Sequence, residues 1–389
     1  MKDLTFDRDY IVRTLADLVR INSINPSIAP DGPGEAEIAA YVTAALGALG
    51  LETAVHEPER GRPTAVGTLR GTGGGRSLMF NGHADTVGVE GMPDPFSASV
   101  RDGRLYGRGA HDMKGSLASA IGAAKALRDA RVRLKGDLVI AAVADEEYGS
   151  LGTADLVGRS RVDAAIVTEP TNLDICLAHK GFVWIEVETL GKAAHGSRFT
   201  EGVDANMRMG RFIAELDNLE RSLRSGPAHP LVGPPSLHAA IVSGGSGLST
   251  YAAACTLKIE RRTIPGETEA GSVAEIQAIV DRLAAADPTF RATVRPFFAR
   301  HPFEVSPDAE IVKVLGSAAR ETLGRQPAFV GDTPWMDSAL LADAGIETVV
   351  MGPRGAGEHS IEEWVDLESV IAMAEILART AVVYCEVLT

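Results

Sequence analysis

A chain of 389 residues is too long for one ordinary hydrophobic core, so two domains are the natural expectation. Its 45% hydrophobic and 23% charged residues are the balance of a water-soluble globular protein. Acidic residues outnumber basic ones, 52 to 38, and the net charge of −14 argues against general affinity for nucleic acid or an anionic membrane.

The opening residues MKDLTFDRDY lack the apolar core of a signal peptide, and no run approaches ~18 uninterrupted apolar residues. Residues 6–21 carry Ile11, Leu15, Leu18 and Val19 at helical spacing, and residues 35–49 repeat the pattern with Ile38, Val42, Leu46 and Leu49. The intervening INPSIAPDGPGE has nothing regular in it and reads as a loop. Short strands are expected over 52–56, 64–70 and 77–81. The glycine run 71–75 lacks the Lys-Ser/Thr ending of a phosphate loop and reads as a turn. Residues 113–130 read as a helix of small residues. The near-continuous apolar runs 136–144 and 163–168 read as strands buried on both faces.

From Lys180 the texture changes. Residues 182–189 alternate as a half-exposed strand does, 204–224 and 272–286 read as amphipathic helices, and 237–242 and 255–264 as further strands. With about four strands and two helices this stretch makes an α+β unit of ~110 residues. Past Pro302 the earlier pattern resumes, with helices over 308–323 and 335–344, a strand over 347–351 and a helix over 367–387. The fold class expected is α/β, a mixed, mostly parallel central sheet flanked by helices. One such domain is built from residues 1–179 and 299–389 and interrupted by an inserted α+β domain over 180–298. Cys176, Cys255 and Cys385 are scattered, odd in number and in apolar contexts, which suits buried free thiols in a reducing, cytoplasmic setting.

Chemistry-bearing residues gather where the apolar runs end. In LMFNGHADTV (78–87), His83 and Asp85 lie two apart and project to one side of an extended segment. That pair fits a metal ligand with its orienting carboxylate, or a histidine hydrogen-bonded in a turn. Asp112 sits in the glycine-rich GRGAHDMKG ahead of a helix, as a ligand or an N-cap would. Glu146 and Glu147 in ADEEYG and Glu169 in EPT each follow a buried strand, and His359 in GEHS follows the strand 347–351. Ligands in open α/β sheets bind at the carboxyl ends of the strands. Asp112, Glu146, Glu147 and Glu169 converging there repel one another and need cations to stay ionised. Two divalent metals meet that need, with His83 and His359 completing donor sets of nitrogen and oxygen that suit zinc best, cobalt and manganese being alternatives.

With these ordered motifs the whole chain resembles the di-zinc metallohydrolase family of acetylornithine deacetylase, succinyl-diaminopimelate desuccinylase, glutamate carboxypeptidase and aminoacylase. The resemblance implies that His83, Asp112, Glu147, Glu169 and His359 are the metal ligands, with Asp112 bridging and its bond to Met113 cis. It implies that Glu146 is the general base, that Asp85 stands behind His83, and that the inserted domain is a lid that dimerises. Within that lid, His195 of GKAAHGS matches a histidine that reaches the partner's active site. Arg262 of IERRTIPGET matches an arginine that holds a substrate carboxylate. Ser249 stands where relatives commonly carry a substrate-binding asparagine, Ala252 replaces a proline, and Arg198-Phe199 replaces a small residue and proline. Arg354 replaces the last glycine of a Gly-Pro-Gly.

The reaction implied is hydrolysis of the amide of an N-acyl amino acid by a homodimer, with carboxypeptidase or dipeptidase action as the alternative. A non-catalytic, metal-stabilised binding protein is the reading from another class. It leaves Glu146 unexplained, because holding metal does not require an extra base.

Overall fold

The computed structural model describes residues 4–388. Of the opening decapeptide, the first three residues lie outside the described range. The chain forms two compact units: one from residues up to Leu177 with Val305–Val330 and Met336 onward, the other from Ala178–Glu304 with Gly331–Trp335. The inserted unit thus begins two residues before the expected border and ends six after it, because the strand Arg291–Arg300 and the short strand Phe303–Glu304 belong to it.

The first unit is built on a mixed sheet of β1 (Glu52–His56), β2 (Thr64–Leu69), β3 (Leu78–His83), β4 (Leu138–Val143), β5 (Ala164–Val167), β6 (Ile175–His179) and β7 (Glu347–Val350), in spatial order β1-β2-β4-β3-β5-β7-β6. The four middle strands are mutually parallel, and β1, β2 and β6 run antiparallel to their neighbours. Every residue of β3, β4 and β5 is buried, as strands covered on both faces must be. Register fixes the working edge: His83 lies opposite Val143, and Val167 opposite both Asn81 and Val350. The loops carrying Glu146, Glu147, Glu169 and His359 therefore leave the sheet on the same side as His83.

Helices flank the sheet. Helix α1 (Arg8–Arg20) is capped by Asp7, whose side chain accepts from the Tyr10 N–H at 2.9 Å, and buries Ile11, Leu15, Leu18 and Val19. Helix α2 (Gly115–Asp129) is buried nearly all round, and its small residues let neighbours approach closely. A Cβ on Gly122 would stand 2.6 Å from Ile11 Cγ1 and 3.5 Å from Ala374 of the helix Leu367–Tyr384. The expected helix start at 113 is displaced, since Ala110–Lys114 is an irregular wide turn and the peptide Asp112–Met113 is cis.

The second unit is an antiparallel sheet in the order Ser236–Gly244, Ala254–Thr263, Gly181–Leu190, Arg291–Arg300, with helices Ala205–Ser225 and Glu269–Ala286. Val183, Ile185, Val187, Leu257, Phe212 and Ile276 form its core. Sequence reasoning did not locate Arg291–Arg300, because Pro296 interrupts it. The strand tolerates that proline as an edge strand with a register shift between Pro296 and Phe298. Helix Leu151–Arg159 and strand β6 were likewise not foreseen, and the helix expected over 335–344 is only Ser338–Asp343. All three cysteines are buried and free, and among the described residues no helix is long and apolar enough to cross a membrane.

Candidate metal centre

His83 ends β3 with its ring buried. Its Nδ1 stands 3.0 Å from the backbone carbonyl of Asp85, so an N–H there donates to that carbonyl and turns Nε2 toward Asp112. The Asp85 carboxylate is 3.7 Å from the same nitrogen and has other partners. Its Oδ1 accepts the Glu146 N–H at 3.1 Å, and its Oδ2 accepts the Glu147 N–H at 3.2 Å and the Asn25 amide at 2.8 Å. Asp85 thus fixes the loop that carries both glutamates.

Asp112 lies between two imidazoles. Its Oδ1 is 2.8 Å from His83 Nε2, and its Oδ2 is 3.4 Å from His359 Nε2. Glu169 approaches the first histidine, with Oε1 3.7 Å from His83 Nε2, and Glu147 the second, with Oε2 3.0 Å from His359 Nε2. Two donor sets share one carboxylate: His83, Asp112 and Glu169 on one side, and His359, Asp112 and Glu147 on the other. In the groupings His83–Asp112–Glu147 and His83–Glu146–Glu169, one donor atom from each residue lies within 4.8 Å of the others. Histidine nitrogen and carboxylate oxygen are donors that divalent first-row metals accept, so the residues present fit such ions.

The charges agree. Burial, and then the neighbouring Glu169, push the Glu146 carboxyl well above its ordinary range. Burial, and then Asp112, push Glu147 up to about 7, and burial raises Glu169 well above its ordinary value. Burial opposes ionisation of Asp112 too, yet hydrogen bonds from His359 and His83 hold its carboxyl far below the usual range. Hydrogen bonding to Asp112 and then Glu147 raises His359 to about 10. Buried carboxylates this close cannot all ionise unless cations compensate them.

Other residues support the loops without having been foreseen. Buried Arg62 holds Glu35 through two hydrogen bonds of 2.7 Å and Asp145 at 2.8 Å, while Asn25 joins Asp145 at 3.0 Å to Asp85. Glu363 accepts from the backbone N–H groups of Gly109, His111 and Asp112 and from Arg108, fastening the Asp112 turn. Asp337 is buried, accepts from Thr153, and is pushed by burial up to about 6. Arg108, Asp145 and Glu363 stand inside or beside the motifs, where their charge in a glycine-rich or acidic loop was a usable signal. Asn25, Glu35 and Arg62 carry no motif.

In the second unit His195 is exposed, its Nδ1 2.8 Å from Ser197 Oγ. Ser249 is exposed, and its carbonyl accepts the Gly196 N–H at 2.7 Å, so the two sequence-selected loops meet. Arg262 is half-buried, its Nε 2.7 Å from Glu260 and its guanidinium 5.3 Å over the Phe182 ring.

The profile of Peptidase family M20/M25/M40 matches residues 79–382. An acetylornithine deacetylase of Myxococcus xanthus is 32% identical over 327 residues, 82% of this chain and 83% of its own length. An N-formyl-4-amino-5-aminomethyl-2-methylpyrimidine deformylase of Bacillus subtilis (strain 168) is 30% identical, covering 92% of this chain and 91% of its own. Among solved structures, aminopeptidase PepT of Bacillus cereus superposes with a TM-score of 0.80 at 21% identity, over 96% of this chain and 98% of its own, a likeness of fold. The match over residues 79–382, with relatives at 30% identity or more that span most of its length, places the chain in Peptidase family M20/M25/M40, to which it belongs.

Proposed function

We propose that this hydrolase cleaves the amide bond of an N-acyl amino acid and that it holds two divalent metal ions, zinc first among them. His83, Asp112 and Glu169 would hold one, and Asp112, Glu147 and His359 the other. The observation that carries the reading is the placement of Asp112, one carboxylate oxygen toward each histidine. Held there, the ions supply Lewis acidity that brings the pKa of water toward neutrality and polarises the acyl carbonyl.

The chain's own groups do the rest. Glu146 is left over once His83, Asp112 and Glu169 make one donor set and Asp112, Glu147 and His359 the other, although it lies in the same donor cluster as His83 and Glu169. It takes the proton of the attacking water and passes it to the departing amine nitrogen, base first and acid second. Asp85 keeps Glu146 beside Glu147 through their backbone N–H groups. The partner subunit's His195 donates to the developing oxyanion, and Arg262 takes a substrate carboxylate in bidentate fashion. Ser249 contacts substrate from its loop. In this reading the protein is a cytoplasmic homodimer joined through the inserted unit.

A second reading has its own support. Arg262 is already paired with Glu260 at 2.7 Å, and the Bacillus subtilis relative is a deformylase whose named substrate has no carboxylate. An acyl amide without a neighbouring carboxylate is then the substrate. Peptidase action on dipeptides remains open to the same machinery. A panel of N-acetyl, N-succinyl and N-formyl amides and dipeptides, assayed with zinc, cobalt and manganese, separates these outcomes. The first reading requires N-acyl amino acids to be preferred and Arg262→Ala to raise their KM. Preference for formyl amides lacking a carboxylate, with Arg262→Ala silent, would move the assignment to the second.

A further inference from the structure

The two donor sets are anchored differently. His83 is the last residue of a fully buried strand, with its ring fixed by a carbonyl two residues on. His359 sits in an irregular loop at φ +57°, and its side chain is 55% exposed. The loop closes the hairpin in which Gly355–Ala356 pairs with Trp364–Val365, and the residues preceding the two ligands tie it to the Asp112 turn: His111, just before Asp112, stands with Nε2 2.8 Å from Oε1 of Glu358, just before His359.

The contact is built rather than incidental. The His111 ring is 1% exposed, and among the described residues its Nδ1 has no hydrogen-bond partner, so the contact of Nε2 with Glu358 is the polar contact the ring makes. Space for the ring depends on Gly355, where an added Cβ would lie 2.5 Å from His111 Nδ1. The same segment grips the loop a second time, for Arg108 Nη2 donates to the Ser360 carbonyl at 2.8 Å. Glu363 returns the hold by accepting from the N–H groups of His111 and Asp112.

We propose that His111 and Glu358 form a latch that sets the affinity of one metal position, the one between Asp112, Glu147 and His359, and leaves the His83 position alone. They are positioning residues: neither offers a donor atom to the ion, and both act by fixing the separation of Asp112 and His359. The inference rests on the two-metal reading above. A neighbour that orients a ligand costs about 10–100-fold in metal affinity when removed, and residues acting as one contact lose their effect together in a double mutant.

The test is competition for zinc between the purified full-length chain and a chromophoric chelator. Wild type should bind two equivalents. In His111→Ala and in Glu358→Ala one equivalent should weaken by about 10–100-fold while the other keeps its affinity. The double variant should be no weaker than either single, and His111→Gln, whose amide nitrogen can reach where Nε2 stood, should recover most of the loss. Thermal unfolding of the metal-stripped proteins guards against a folding defect. Should His111→Ala fail to fold, Glu358→Ala, altered at a half-exposed side chain, carries the test alone. Equal weakening of both equivalents, no weakening, or additive losses would overturn the latch. A wild-type chain binding fewer than two equivalents would instead overturn the two-metal reading.

Discussion

In the proposed mechanism Glu146 and Glu147, neighbours in the turn that follows β4, have different tasks. Glu147 reaches His359 at 3.0 Å, whereas burial and Glu169 push the Glu146 carboxyl well above its ordinary range. Glu146→Gln should therefore leave metal content unchanged and lower turnover by ~10²–10⁴-fold, read by elemental analysis beside steady-state rates. Loss of one metal in that variant would exchange the roles of the two glutamates. Titration gives a second expectation at this scale. In the metal-free chain burial, and then Asp112, push the Glu147 carboxyl from its ordinary 4.5 up to about 7. Its contribution to metal-free stability is fully present below 4.5 and is lost as pH rises through 7. Cations replace the missing proton, so the rise in Tm on adding zinc should grow steadily from pH 4.5 to 7. A zinc-induced rise that stays flat over that interval would contradict the crowding of carboxylates. These residues were legible in the sequence because each stands in a short acidic or histidine-bearing cluster just past an apolar run. The division of labour inside Asp85 was not. Its backbone carbonyl orients His83 while its carboxylate holds the loop 146–147, and spacing alone cannot separate the two.

At the level of elements, four parallel strands end on one edge and deliver the donors, and a buried polar network keeps their loops in place. The strands were readable because burial on both faces leaves an almost unbroken apolar signature. The network was not, because Asn25, Glu35 and Arg62 lie in segments without periodicity and meet Asp85 and Asp145 only after folding. Arg62 pairs with the carboxylates of both Glu35 and Asp145, and all three are buried. Removing one partner of such a cluster leaves uncompensated charge, so Arg62→Leu should cost about 3–5 kcal/mol in urea unfolding. It should also loosen the loop 144–150, seen as faster amide exchange at Glu146 and Glu147. A variant as stable as wild type would mean that the network is not what supports the loop. The strand Arg291–Arg300 escaped sequence reading for a different reason, a central proline that only an edge strand with a register shift accommodates.

For the whole molecule, discontinuity was visible in the change of texture near Lys180 and its reversal after Pro302. The short return of Gly331–Trp335 to the second unit was not, since five residues carry no pattern of their own. The proposed sharing of the site between two subunits makes a sharp expectation. His195→Ala should lose about 10²–10³-fold in turnover with metal content intact. Mixing it with Glu146→Gln chains should restore activity once subunits exchange, because one site in each mixed dimer then has both groups. No recovery despite proven exchange would confine His195 to its own chain or to no role. The central claim is that a metal pair centred on Asp112 drives hydrolysis, and it is tested most directly by titrating zinc into metal-stripped chain while following cleavage of an N-acetyl amino acid. No turnover is expected without metal, and activity should reach its plateau at two equivalents per chain. Full turnover by the stripped chain in excess chelator would contradict that claim.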